Sequence, residues 1–290
     1  MPGTANTTDR MQENTIPLLD SSQDFLIGDA SGKLMNEYGR FPCKIKCGVF
    51  ALMVRGTCTA TVNITDYAVK QNDVVLLEPG SFLLFHEFSE DALVYYVVFS
   101  SSFIEKYAFG KQMSIEALQL RTPFISLNDE QANMLVDMAQ LLMKVINLQT
   151  VRIESQTMVH VFNLLHTMYV SYARRQGNYL ARPQDRREEI YQEYVRLVLA
   201  HYHEWHHVNA YAKAMRISTP HLSSTIKQVS GKTAGEVIYD AILTDAKSQL
   251  KLTKLQVKEI AISLGFENVA FFNRFFRSKV KMTPREYRNS

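Results

Sequence analysis

The chain has 290 residues, a net charge of +3 and three cysteines. That length exceeds what one hydrophobic core usually organises and implies about two domains. Three cysteines are too few for a disulfide framework, and no apolar run approaches the roughly 18 residues of a membrane span, so a cytoplasmic protein with reduced thiols and no membrane partner is expected.

In chain order, residues 1–20 are polar, rich in Thr and Asn, and lack the apolar centre of a signal peptide, so they read as a disordered tail. From about Phe25 to Phe103 the texture is β. Cys58, Ala60, Val62 and Ile64 alternate with Thr59, Thr61, Asn63 and Thr65, the period of a strand with one buried face. DVVLLEPGSFLLF then reads as strand, Pro79-Gly80 turn and strand, and Ala92 to Ser100 as a further apolar run. Short strands at this spacing predict a sandwich or small barrel.

A metal-dependent barrel enzyme needs three or four converging ligands, and His86 is the only histidine before His160. No metal, cofactor or catalytic site is therefore expected. An apolar and aromatic pocket remains open to a small molecule, with Phe50, Met53, Phe82, Phe85, Tyr95 and Phe99 as candidate lining residues. The same six side chains serve equally as ordinary core.

From Asp129 to Arg175 apolar residues recur at three and four positions (Met134, Leu135, Met138, Leu141, Leu142, Val145; then Val159, Phe162, Leu165, His166, Tyr169), predicting two antiparallel helices. RRQGNYLARPQDRR, Arg174 to Arg187, reads as a linker, placing one domain at 21–176, the linker at 177–187 and a second domain at 188–290. HYHEWHH, His201 to His207, invites a metal reading; on a helix, however, only His203 and His207 are one turn apart while His201 and His206 point elsewhere, and the stretch ends the first helix of the second domain.

In AYAKAMRISTPHLSSTIKQV a small-residue helix ends at Arg216 and Ile217, and Ser218 or Thr219 caps a second helix. Leu222, Ile226 and Val229 form its buried stripe, with Pro220, Ser223, Ser224 and Lys227 outward. TAGEVIYDAILTDAKSQLKL follows as one amphipathic rod of roughly 25 to 30 Å.

EIAISLGFENVAFFNRFF repeats the layout. A short helix stops at Gly265, Phe266 plugs the angle, and Asn268 caps a helix that turns Phe271, Phe272, Phe275 and Phe276 inward. Asn268, Val269, Ala270, Asn273, Arg274 and Arg277 are left for the outward face. One such pair is equally a plain αα-hairpin, but two copies joined by a rod match helix-turn-helix readers entering successive turns of a major groove about 34 Å apart. Arg274 is the first candidate for a base contact, through guanine O6 and N7, while Val269 and Ala270 suit thymine methyls. Lys279, Arg285 and Arg288 suit phosphate or solvent. Charge divides accordingly: residues 186–290 carry 17 Lys/Arg against 10 Asp/Glu, a net of +7 that leaves −4 for the first 185.

IAISLGFENVAFFNRFFRSKVKMTPREYR resembles the terminal signature of AraC-type (AraC/XylS) transcription regulators, and HLSSTIKQVSGKTAGEVI resembles their first helix-turn-helix and linker helix. The likeness covers roughly Glu188 to Arg288; Lys281 departs from it, standing where the family usually has glycine. NDVVLLEPG resembles the cupin-type barrel of many such regulators. The resemblance implies an α+β chain: a cupin-like barrel followed by two helices, then an all-α part with two helix-turn-helix units. It implies a homodimer on double-stranded DNA that responds to a small-molecule effector of unknown identity and activates transcription by helping RNA polymerase. A constitutive regulator whose first domain serves only assembly, and a cupin enzyme fused to a DNA-targeting module, are the alternatives.

Overall fold

A computed structural model describes residues 23–38, 42–63, 65–107, 109, 120, 122–147, 153–178 and 186–290. The expected tail and most of the expected linker lie outside them. The fold is α+β, antiparallel sheets followed by helices. Strands β1 (Phe25–Ser31), β8 (Leu93–Phe99), β3 (Gly48–Arg55), β6 (Asp73–Leu77) and β9 (Phe124–Ser126) form one sheet in that order, and β2 (Cys43–Lys44), β7 (Phe82–Phe88), β4 (Thr57–Val62) and β5 (Thr65–Lys70) form the other.

The period of two assigns each face. On β4, Cys58, Ala60 and Val62 are buried as their alternation with threonines requires, and Val62 and Ala60 share a cluster with Val49 of β3, Val75 of β6 and Val98 of β8. That cluster is the layer between the sheets. The five-stranded sheet is covered on its other face too: Phe50, Leu52, Val74, Val97 and Phe99 pack on α2 (Ser101–Lys106), α3 (Asp129–Asn147) and α4 (Ser155–Arg175). Hence β3 reads as a continuous apolar run, because both of its faces meet protein. Tyr67 of β5 and Phe124 of β9, with ring centroids 5.0 Å apart, draw two sheet edges together. The Pro79-Gly80 turn joins β6 to β7 as expected, with Gly80 at φ 90°.

Helices α3 and α4 form where expected, but Met134 and Leu141 are 55% and 61% exposed. Leu135 of the expected stripe is buried, and Ala132 from outside it provides the rest of the buried contact of α3. The apolar stripe is wider than the strip of helix that touches the sheet.

The C-terminal part is all helical: α5 (Arg186–His201), α6 (Val208–Ala214), α7 (Thr219–Ser230), α8 (Ala234–Leu252), α9 (Val257–Ser263), α10 (Val269–Val280) and α11 (Pro284–Asn289). One core runs through it, from Tyr194 and Val198 of α5 through Leu222 and Ile226 of α7 and Val237, Ile238 and Ile242 of α8 to Phe272 and Phe276 of α10. Val229, expected in the stripe of α7, is 38% exposed, since the last turn of that helix runs past the core.

Phe82 belongs to β7, yet its ring is buried in this helical core, 5.7 Å from the ring of Tyr202. Lys44 of β2 donates from Nζ to the Tyr202 hydroxyl at 3.0 Å and lies over the same two rings. The Tyr202 hydroxyl donates in turn to Asp245 Oδ2 of α8 at 2.7 Å. Burial first, and the Asp245 carboxylate second, push the Tyr202 hydroxyl well above the ordinary tyrosine range, so it stays a donor. Gln249 Nε2 donates to the same carboxylate oxygen at 3.1 Å, and the Ser263 hydroxyl at the end of α9 has two acceptors for its one proton, Gln249 Oε1 at 3.0 Å and the carbonyl oxygen of Ile260 at 2.9 Å. A polar chain thus runs from the strands to the end of α9, just before the Gly265 turn of the second helix pair.

Candidate nucleic-acid interface

Two helix pairs repeat with one set of local devices. The first pair, α6 and α7, turns at Arg216, whose φ of 55° is left-handed. The second, α9 and α10, turns at Gly265 with φ 78°. Here glycine is required twice over: besides the backbone conformation, an added Cβ would sit 1.9 Å from the carbonyl oxygen of His203. Ser218 Oγ accepts from the N–H of His221 at 3.3 Å to cap α7, and Asn268 Oδ1 accepts from the N–H of Ala270 at 2.7 Å to cap α10. Gly231 and Lys281 end the two second helices, both left-handed, at φ 72° and 66°.

The repeat continues beyond each pair. Thr233 and Glu236 form a capping box at the start of α8, and Thr283 and Glu286 form another fifty positions on, at the start of α11. Both glutamates are held below the ordinary carboxylate range, first by the N–H of the capping threonine and then by its hydroxyl. Leu222 and Ile226 correspond by the same spacing to Phe272 and Phe276 and are buried like them.

The two outward faces follow from this. On α7, Pro220, Ser224 and Lys227 are exposed and Ser223 is half-buried. Lys227 Nζ is turned back to the carbonyl oxygen of Gly231 at 2.5 Å. On α10, Asn268, Ala270, Asn273, Arg274 and Arg277 are exposed and Val269 is half-buried, with Asn268 committed to its cap. Phe266 fills the angle between α9 and α10 as expected, with its centroid 5.3 Å from that of Phe272 and 5.5 Å from that of Phe275.

Two expectations are corrected here. Helical spacing alone puts Phe271 inward, but it is 60% exposed, and the Arg274 guanidinium lies over its ring at 4.6 Å. On a helix Phe272 and Phe276 share one line, which is buried in the core, and Phe271 and Phe275 another; Phe275 is half-buried against the core, and Phe271, a turn nearer the start of α10, lies beyond its edge. Arg288, expected at phosphate or solvent, donates to the carbonyl oxygens of Leu250 (3.1 Å) and Leu255 (2.6 Å), closing α11 onto the end of α8. The face also includes residues that sequence reasoning missed. His221 and Gln228 are exposed on α7, and His221 stands fifty positions before Phe271. Aligning the two capping boxes would have found it.

Residues 211–290 match the family described as helix-turn-helix domain. This segment is an AraC-type DNA-binding domain. The chain is 30% identical over 74 residues to the xylose operon regulatory protein of Haemophilus influenzae, covering 26% of this chain and 19% of that one. It is 28% identical over 102 residues to the regulatory protein SoxS of Salmonella typhimurium, covering 35% of this chain and 95% of that one. It thus spans about a fifth of the length of the xylose regulator, and the likeness belongs to the AraC-type segment. Over 92% of this chain and 98% of the other, the fold resembles that of ToxT from Vibrio cholerae at 15% identity and a TM-score of 0.45.

Around the AraC-type domain the histidines of HYHEWHH have structural places. His201 stacks on Trp205 with centroids 4.0 Å apart, His206 Nε2 lies 2.9 Å from the carbonyl oxygen of Leu264, and His207 is the N-cap residue of α6. The turn they form is the seat of the Gly265 turn.

The six pocket candidates are dispersed. Phe50 and Phe99 face α4, with centroids 5.9 and 5.1 Å from that of Phe162. Met53 and Phe85 belong to a cluster between the sheets, and Phe82 enters the helical core. Only Phe50 and Tyr95 line the same cavity, an apolar one of about 40 Å³ between the five-stranded sheet and α3 and α4. A far larger cleft of about 940 Å³ lies between strands and helices, with Lys44, Tyr67 and Glu78 on one side and Tyr191, Arg196 and Lys232 on the other.

Proposed function

We propose that the protein is a sequence-specific DNA-binding transcription regulator, and an effector-responsive activator. The observation that carries this is the repeat: two helix pairs, each with a side-chain cap on its second helix and a left-handed residue at that helix's end, each with a buried apolar back and a polar front, joined by α8. At 1.5 Å per residue the 19 residues of α8 are about 28 Å long, close to the pitch that separates successive major-groove faces. Arg274, Asn273, Ala270 and Val269 of the second reader, and Pro220, Ser223 and Ser224 of the first, are the base-facing set. Arg277 and Lys227 add charge for phosphates.

The first part of the chain acts as the sensor. The 40 Å³ cavity is well below the roughly 300 to 1,000 Å³ of a ligand site, whereas the cleft falls within that range and touches both parts. Lys44 lies on the cleft wall and heads the polar chain to Ser263, so a ligand that engages Lys44 competes with Tyr202 for it. Met134 and Leu141 of α3 and Leu164 of α4, all exposed, support a homodimer through that helix pair.

Selection of bound sequences from random duplexes tests the reading. One preferred site is expected, and Arg274→Ala should lose about 1 to 3 kcal/mol on it and relax preference at one base pair. Uniform weakening on all sequences would make Arg274 a phosphate contact, and no preferred site would overturn the function. A thermal-shift screen of metabolites, read alongside operator affinity, separates an effector-responsive regulator from a constitutive one.

A further inference from the structure

The exposed ring of Phe271 has no structural task that the repeat requires. Its counterpart on α7 is the exposed imidazole of His221, so the fold accommodates a polar side chain at that position. What distinguishes the second reader is the pairing of this ring with Arg274, whose guanidinium lies 4.6 Å from the ring centroid. A stacked guanidinium uses its face for the ring and keeps its N–H groups, which lie in its plane, free for acceptors. The pair therefore presents a hydrogen-bonding fork and an apolar edge side by side, in a neighbourhood that also carries Arg277.

The major groove has one partner for each. Guanine offers O6 and N7 to a fork, and the thymine C5-methyl is the apolar group displayed there. We propose that Phe271 and Arg274 read one composite element, with Arg274 taking guanine and Phe271 packing on the methyl of a nearby thymine. Residues three apart on a helix have Cβ atoms about 5 to 6 Å apart, while base pairs rise about 3.4 Å, so the thymine lies within two steps of the guanine. Cytosine lacks the methyl and places its polar N4 amine beside the ring, so it is disfavoured there. The inference rests on the reading of α10 as a recognition helix and adds a specificity-determining residue to it.

Replacing each thymine of the selected site singly with deoxyuridine, which lacks only the methyl, tests it by fluorescence anisotropy with the full chain. One replacement, within two steps of the guanine whose preference Arg274→Ala relaxes, should weaken wild-type binding about fourfold, the ratio expected for one buried carbon group. The same replacement should leave Phe271→Ala unaffected, and that variant should bind the unmodified site as the wild type binds the deoxyuridine one. Phe271→His, which copies the residue at the matching place on α7, serves as a second variant should alanine unfold α10. The proposal is overturned if no such thymine exists or if the loss persists in the variants. If selection instead yields no preferred site, the assignment of α10 as a reader fails first and this inference falls with it.

Discussion

Phe82→Ala probes the seam between strands and helices. Phe82 is 1% exposed, and its ring lies among helical core residues although its backbone belongs to β7. That backbone is pinned: its N–H donates to Asn63 Oδ1 at 3.0 Å and its carbonyl accepts from the Asn63 N–H at 2.7 Å. The strand therefore has little freedom to slide and fill the hole. Removing a buried phenylalanine from such a site costs about 3 to 5 kcal/mol, and for a chain of this size each kcal/mol lowers Tm by roughly 2 to 4 °C. Differential scanning calorimetry should record a fall of about 6 °C or more, or a split into two transitions as the two parts uncouple. Phe82→Leu, which keeps most of the volume, should recover most of the loss. A single transition within about 1 °C of wild type would refute the claim that this ring joins the two parts.

Lys281→Gly should stabilise the protein by about 1 kcal/mol in urea unfolding, because the φ of 66° there costs a lysine that amount; a loss would mean that the Lys281 Nζ bond to the carbonyl of Ser278 outweighs the strain. The Glu286 carboxyl is lowered in the fold, so its contribution is complete above the unfolded carboxyl value of about 4.3 and disappears as pH falls through the folded one. Thermal melts should show a Glu286→Gln deficit that is constant from pH 8 to about 5 and shrinks in acid. Burial pushes the Cys43 and Cys58 thiols up to about 12, leaving on the order of one in 10⁴ ionised at pH 8, so a disulfide reagent should label neither before unfolding. Prompt labelling would show that the strand layers open.

Legibility in the sequence followed how local each device is. Caps, the Pro79-Gly80 turn, the Gly265 turn and the alternation on β4 depend on a few neighbouring residues, and all are where the sequence puts them. Inward and outward on β3 were not legible, because a strand buried on both faces carries no alternation. Phe50 and Phe99 could therefore have faced either the sheet layer or the helices. Phe271 failed for a related reason: four phenylalanines span more of a helix than a core of this width covers, and a wheel does not say where the core ends. The seam residues Phe82 and Lys44 stand more than a hundred positions before Tyr202, and nothing local in the sequence announces that they meet.

For the proposed regulator, the placement of the polar chain bears on how a signal would reach DNA. The first reader is welded to its support, since Leu222 and Ile226 of α7 share one core with α5 and α8. The second reader shares that core through Phe272 and Phe276, but its first helix is also tied to α8 by the Ser263 to Gln249 bond, the last link from Lys44. A net hydrogen bond contributes about 0.5 to 1.5 kcal/mol, a factor of roughly 2 to 13 in an equilibrium. Losing one or two links would thus supply the 1 to 3 kcal/mol typical of coupling between sites while leaving the buried aromatic anchors in place. In the proposed regulator, losing these links would change how the second helix pair is held without unfolding it.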